Sequence, residues 1–165
     1  MNSRKLTLGL FAFYLIVLTW IILFKMQFSL RNLPHIQNVN WIPFGEPLVV
    51  NGKRDVGEIV QNAAAFFPMG IFVRALWPGR PLVKQLLPVI GASLLFEAAQ
   101  YVFAIGASDI TDVISNASGG ALGIAAAALI AKVFGNRWLK AVNIVCLTGA
   151  IALSALIVVL LVSNL

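Results

Sequence analysis

Glu58, Glu97, Asp109 and Asp112 are four of the six acidic residues in a chain of 165, and each falls in or beside an apolar segment. Asn62, Gln100 and Asn116 fall in the same stretches. Carboxylates and amides grouped in this way can do three kinds of chemistry. Their oxygens can bind a divalent cation. A carboxylate can serve as general acid or base, with Glu97, Asp109 and Asp112 as the catalytic candidates. The group can also hydrogen-bond a polar headgroup, a sugar or a peptide. Spacing does not choose among the three. It does say that the group is costly, since an ionisable side chain at the centre of a membrane helix costs about 2.5–3.5 kcal/mol on insertion scales. A chain that keeps several together has a use for them.

Helical spacing brings these residues into register. Residues three, four and seven apart share a helix face. Asp109, Asp112 and Asn116 therefore line one stripe, which Gly119, Gly120 and Gly123 continue; small residues there let a second helix come close. Ser93, Glu97, Gln100 and Ala104 share a face of the preceding segment. Glu97 lies about 12 Å along the helix from Ile105, at 1.5 Å per residue. The short connection Ala104–Ser108 makes an antiparallel hairpin, so the two polar stripes meet at one end. Glu58 and Asn62, four apart, join at the same level. Simpler roles compete with chemistry at most positions. Asp109 fits a helix N-cap, as does Ser108 with Asp109 favouring the dipole. Asp112 fits a first helical turn, Asn62 a cap, and Gly119 and Gly123 packing. Glu97, two turns inside an apolar segment with no basic residue within a turn of it, is the hardest to explain structurally.

The elements that must position these groups are membrane spans. The chain is 60% hydrophobic and 11% charged, whereas soluble domains carry about 25% charged residues. Five apolar runs, about residues 6–24, 59–77, 82–105, 110–133 and 141–162, approach or exceed the roughly 20 residues needed to cross a bilayer. The first has no small-residue cleavage site after it and reads as an uncleaved anchor. Pro68 should kink the second. The expected fold is an all-α polytopic helical bundle, with residues 1–165 as one membrane domain. With the N-terminus inside, the inner side holds Arg4, Lys5, Arg74, Arg80, Lys84, Lys132, Arg137 and Lys140, and the outer side Lys25, Arg31, Lys53 and Arg54. That bias predicts N-in, C-out. The long outer loop, 25–58, is rich in interfacial residues (Met26, Phe28, Leu30, Leu33, Trp41, Ile42, Pro43, Phe44) and should lie on the surface or dip into the protein.

The net charge of +6 is spent on topology beside anionic lipid. No basic stripe interleaved with exposed aromatics marks a nucleic-acid surface, so no nucleic-acid partner is expected. Cys146 is the only cysteine and reads as a small buried hydrophobe. His35 has no second His or Cys near it, which argues against zinc.

Several motifs, taken in order, resemble the VanZ-like membrane family. Asn40-Trp41-Ile42-Pro43-Phe44 is similar to its Asn-x-x-Pro-Phe element. Asn62, Phe66 and Phe67-Pro68-Met69-Gly70 are similar to its second segment, and Glu97-Ala98-Ala99-Gln100 to its Glu-x-x-Gln. Asp109, Asp112, Asn116, Gly119 and Gly123 match Asp-x-x-Asp-x-x-x-Asn-x-x-Gly-x-x-x-Gly. The resemblance runs over about residues 38–126 and adds Asn40 to the candidate ligand-binding set of Glu58, Asn62, Glu97, Gln100, Asp109, Asp112 and Asn116. There is one departure. Where family members usually carry an Arg three residues before the first Asp, this chain has Gly106; Lys53 and Arg54 are substitutes by position only. The resemblance implies a multi-pass protein of the bacterial cell membrane that touches cell-envelope chemistry. The founding member is associated with resistance to glycopeptide antibiotics, chiefly teicoplanin.

The resulting expectation is an outer-facing polar pocket for an envelope lipid, a lipid-linked wall precursor or a lipophilic glycopeptide. The alternatives are an intramembrane carboxylate-dependent hydrolase or transferase, with or without a metal, a small transporter or flippase, and a purely structural role for the polar stripe.

Overall fold

The computed structural model describes residues 3–24, 37–44, 49–50, 53–54 and 56–163, with the backbone alone described at 49–50, 53–54 and 163. Five α-helices form: α1 (Arg4–Phe24), α2 (Gly57–Leu76), α3 (Leu82–Phe103), α4 (Ile110–Phe134) and α5 (Trp138–Ser163). Long apolar runs become helices because a backbone in hydrocarbon must satisfy its own N–H and C=O groups. The protein is a helical membrane protein, as composition predicts.

The count of five separate spans needs correction. Four continuous helical segments are long and apolar enough to cross a membrane, because the fourth and fifth runs join into one segment, Ile110–Val162. The join is a 3-10 turn, Gly135–Arg137, in which Gly135 adopts φ 50 and ψ −130, a conformation that glycine tolerates best. Straight, 53 helical residues would reach about 80 Å, far beyond a hydrocarbon core of roughly 30 Å. The chain bends at this turn and sets the first turns of α5 against α1. There Thr7 Oγ1 donates to Asn143 Oδ1 at 2.8 Å, and both residues are fully buried.

The helices alternate in direction as expected. The start of α1 meets the end of α2, where Arg4 Nη2 donates to the Leu76 carbonyl at 2.8 Å. The end of α1 meets the end of α3, where Gln100 Nε2 donates to the Ile22 carbonyl at 3.2 Å. The core between them is Leu18 and Ile22 of α1, Phe66, Met69 and Val73 of α2, and Val89 of α3. Phe66 meets Phe96 edge-on, with ring centroids 6.1 Å apart. α2 stays helical through Pro68, and α3 through Pro88. In the turn before Pro68, the Ala65 carbonyl accepts from Tyr14 Oη at 2.7 Å, which ties α1 to α2 beside the proline.

α2 and α4 approach most closely. A Cβ built on Gly119 would run into the Ala63 carbonyl oxygen, and one on Gly123 into that of Phe67. The glycine stripe is a packing surface, as its spacing implies.

Part of the long loop dips into the protein. β1 (Val39–Asn40) pairs in parallel with β4 (Ser108–Asp109), Asn40 opposite Asp109. β2 (Val49–Val50) pairs antiparallel with β3 (Lys53–Arg54). Trp41, Ile42 and Phe44 stay exposed. Lys25, Met26, Phe28, Leu30, Arg31, Leu33 and His35 lie outside the described residues, as do the side chains of Lys53 and Arg54.

Candidate functional site

The polar stripes converge where α1 and α3 end and α2 and α4 begin. A cavity of about 350 Å³ opens there, lined by Ile21 and Ile22 of α1, Gly57, Glu58, Gln61 and Asn62 of α2, Glu97 and Gln100 of α3, and Asp112 and Asn116 of α4. Six of the eight expected ligand-binding residues line this one cavity. Among the described residues, its lining holds three acids (Glu58, Glu97, Asp112), four amides (Gln61, Asn62, Gln100, Asn116) and no Lys or Arg.

Local structure explains the convergence. Ser93, Glu97 and Gln100 are all buried on one face of α3. α3 ends at Ala104, which adopts the left-handed conformation at φ 54 and ψ 35 and turns the chain back. Ser108 then donates from Oγ to the Glu97 carbonyl at 2.7 Å, and the Asp109 N–H donates to Glu97 Oε2 at 2.9 Å. Two turns further into α4, Asn116 Nδ2 donates to Ser93 Oγ at 2.9 Å. These three bonds lock the α3–α4 hairpin along the wall of the cavity.

Asp109 has a different place from Asp112. It is the N-cap of α4, extended at φ −127 and ψ 128, and its Oδ1 accepts from the Thr111 N–H at 2.7 Å. Its Oδ2 accepts from Asn40 Nδ2 at 3.0 Å. Asn40 Oδ1 in turn accepts from the Ile42 N–H at 3.0 Å, and the Phe44 N–H donates to Thr111 Oγ1 at 3.0 Å. The segment 38–44 is thus strapped to the start of α4. Asp109 and Asn40 line a neighbouring cavity of about 440 Å³, mostly apolar, with Val39, Trp41, Leu94, Ala98, Tyr101 and Val113. Glu97 lines both cavities and forms part of the boundary between them.

Two buried acceptors in the polar cavity's lining have no partner among the described residues. They are Gln100 Oε1 and Asn116 Oδ1, on side chains 5% and 1% exposed. An unsatisfied buried acceptor costs about 1–3 kcal/mol, so these two oxygens are polar groups that the described side chains leave unmatched.

Among the described residues, no three of His, Cys, Asp and Glu gather as a metal-holding group. Glu58, Glu97 and Asp112 line the same cavity.

Gln61 and the Ile21–Ile22 wall were not foreseen. Gln61 carried a signal, a second amide beside Asn62 in an apolar run. The α1 wall carried none, since Ile22 takes part through its carbonyl. At Gly106, a built Cβ would come no nearer than 3.4 Å to Gln100 Nε2. The backbone therefore admits a side chain at the position where this chain departs from the pattern.

Comparison with known proteins agrees with the motifs. The VanZ/LLP1 family model matches residues 11–132, so the match begins inside α1, ahead of the motif run. Protein VanZ of Enterococcus faecium is 35% identical over 124 residues, covering 74% of this chain and 73% of that protein. No solved structure matches the chain.

Proposed function

This chain belongs to the VanZ/LLP1 family, and on that premise we propose that its polar cavity binds the headgroup of a cell-envelope amphiphile. The guest is an envelope lipid, a lipid-linked wall precursor or a lipophilic glycopeptide. The cavity faces the outer side of a bacterial cell membrane that the protein crosses several times, and binding there contributes to glycopeptide resistance.

One observation carries this reading: among the described residues, Gln100 Oε1 and Asn116 Oδ1 are buried acceptors without donors, in a cavity whose described lining holds three carboxylates and no Lys or Arg. Such a lining selects ammonium, hydroxyl or amide donors and disfavours a bare anion. Binding is favoured over catalysis by Glu97 with Asp109, whose oxygens already have partners. Glu97 Oε2 is held by the Asp109 N–H, and both oxygens of Asp109 are taken by Thr111 and Asn40.

Teicoplanin susceptibility tests the proposal. A sensitive bacterial host would express the wild type, Glu97→Gln or Asn116→Leu at matched membrane levels. The wild type should raise the inhibitory concentration, Glu97→Gln should keep part of the gain, and Asn116→Leu should abolish it. Protection that survives Asn116→Leu in full would sink the assignment of this cavity.

A further inference from the structure

The opposite end of the bundle holds a second cavity, of contrary charge. α2 ends at Leu76, and residues 77–81 turn the chain into α3. A space of about 310 Å³ opens at this turn, lined by Val73, Trp77, Arg80, Lys84, Gln85 and Pro88. Two of these are cations and none is an acid. The described acids, Glu58, Glu97, Asp109 and Asp112, all lie at the other end. Arg4 and Lys5 line an adjoining cavity that shares Trp77, which adds to the positive potential.

The start of α3 strengthens it. Pro81 stands at the N-cap and provides no side-chain cap. The positive end of a 22-residue helix therefore meets no capping oxygen, a setting that favours anions.

Gln85 is an independent pointer to a ligand. It is 1% exposed, and its Nε2 donates to the Arg80 carbonyl at 2.6 Å. Its Oε1 is buried and has no partner among the described residues. A guest that only accepts hydrogen bonds would satisfy the cations and leave this oxygen unmatched.

We infer that this cavity binds a phosphodiester headgroup that also carries a hydroxyl, the chemistry of an anionic glycerophospholipid. Arg80 and Lys84 hold the phosphate, and Gln85 Oε1 accepts from the hydroxyl. Val83 and Leu87, 71% and 61% exposed on the same stretch of α3, offer apolar surface for an acyl chain. Trp77 places its indole at the level where headgroups meet hydrocarbon. A soluble glycerol phosphate, although a monoester, offers the same pairing of phosphate and hydroxyl without the chain.

Native mass spectrometry of the full-length protein in detergent separates these sources. The probes are phosphatidylglycerol, phosphatidylcholine, phosphatidylmethanol (a phosphodiester without the headgroup hydroxyls) and glycerol 1-phosphate. Phosphatidylglycerol should bind about tenfold to thirtyfold more tightly than phosphatidylcholine, the worth of two cations near an anionic group. Arg80→Gln with Lys84→Gln, both at exposed positions, should remove that preference and leave phosphatidylcholine binding unchanged. Gln85→Leu should erase the preference for phosphatidylglycerol over phosphatidylmethanol. Displacement of the lipid by glycerol 1-phosphate at comparable concentration would assign the site to the soluble source. Equal binding of phosphatidylglycerol and phosphatidylcholine, or a preference that survives the double substitution, would overturn the inference.

Discussion

The backbone N–H of Asp109 donates to Glu97 Oε2 at 2.9 Å, so the buried acid of α3 is bonded to the residue that caps α4. Glu97 thereby has a positioning task in addition to lining the cavity. Glu97→Gln keeps an acceptor oxygen for this N–H, whereas Glu97→Ala leaves it unpaired. Thermal unfolding in detergent should place Glu97→Gln near the wild type and Glu97→Ala lower by about 1–3 kcal/mol. A ligand-binding cavity keeps measurable binding in Glu97→Gln. A catalytic carboxylate loses nearly all turnover in it, and that result would favour the enzymatic alternative.

Asp109 joins two tasks, the cap of α4 and the bridge to Asn40. Asp109→Ala removes both and should cost about 0.5–2 kcal/mol for the cap alone. It should also loosen segment 38–44, read as faster amide hydrogen exchange at Ile42 and Phe44. Asp109→Asn retains a capping oxygen but sets an NH2 against Asn40 Nδ2, so it should keep the cap and still exchange faster than the wild type at Ile42 and Phe44. Equal exchange in all three proteins would contradict the strap.

Much of this site was legible in the sequence because helix geometry is regular. Ser93, Glu97 and Gln100 obey the three-and-four spacing and are buried together, and Asp112 and Asn116 face them across the hairpin. The spacing argument fails at the helix ends. Asp109 and Ala104 were placed on the helical stripes, yet Asp109 is extended and Ala104 left-handed, so the 3.6-residue period does not govern them. That is why Asp109 points toward Asn40 while Asp112 lines the polar cavity. The pairing of Asn40 with Asp109 joins positions 69 apart, and no local rule could supply it; the motif resemblance named Asn40 without saying why. The union of α4 and α5 was missed because residues 134–140, with Arg137 and Lys140 among them, separate the two apolar runs, while the chain continues through 135–137 as a 3-10 turn.

The glycines of the bundle divide by what surrounds them. Gly119→Ala would drive its Cβ into the Ala63 carbonyl and should destabilise the protein by about 1–3 kcal/mol, the cost of overpacking. Gly9→Ala on α1 meets nothing within 4 Å and should be neutral or stabilising by about 0.4–1 kcal/mol. The unfolding midpoint should fall for Gly119→Ala and hold or rise for Gly9→Ala. A neutral Gly119→Ala would contradict the close approach of α2 and α4.

Thr7 and Asn143 form the fully buried polar link between α1 and α5. Asn143 Nδ2 also donates to the Ser3 carbonyl at 3.2 Å. A double-mutant cycle with Thr7→Val and Asn143→Leu should give a coupling of about 0.6 kcal/mol, the average for hydrogen bonds between membrane helices. Zero coupling would remove this link as an anchor of α5.

The central claim is that the cavity among Glu58, Asn62, Glu97, Gln100, Asp112 and Asn116 holds a headgroup. The most direct test is mass spectrometry of the molecules that co-purify with the protein in mild detergent. Wild type would be compared with a Glu97→Ala, Asp112→Ala double variant whose helical content and unfolding midpoint confirm its fold. An amphiphile with an amine, amide or hydroxyl headgroup should be present in the wild type and absent from the variant. Identical profiles, with an added wall-precursor lipid binding both proteins equally, would contradict the claim and leave the polar cluster a structural role.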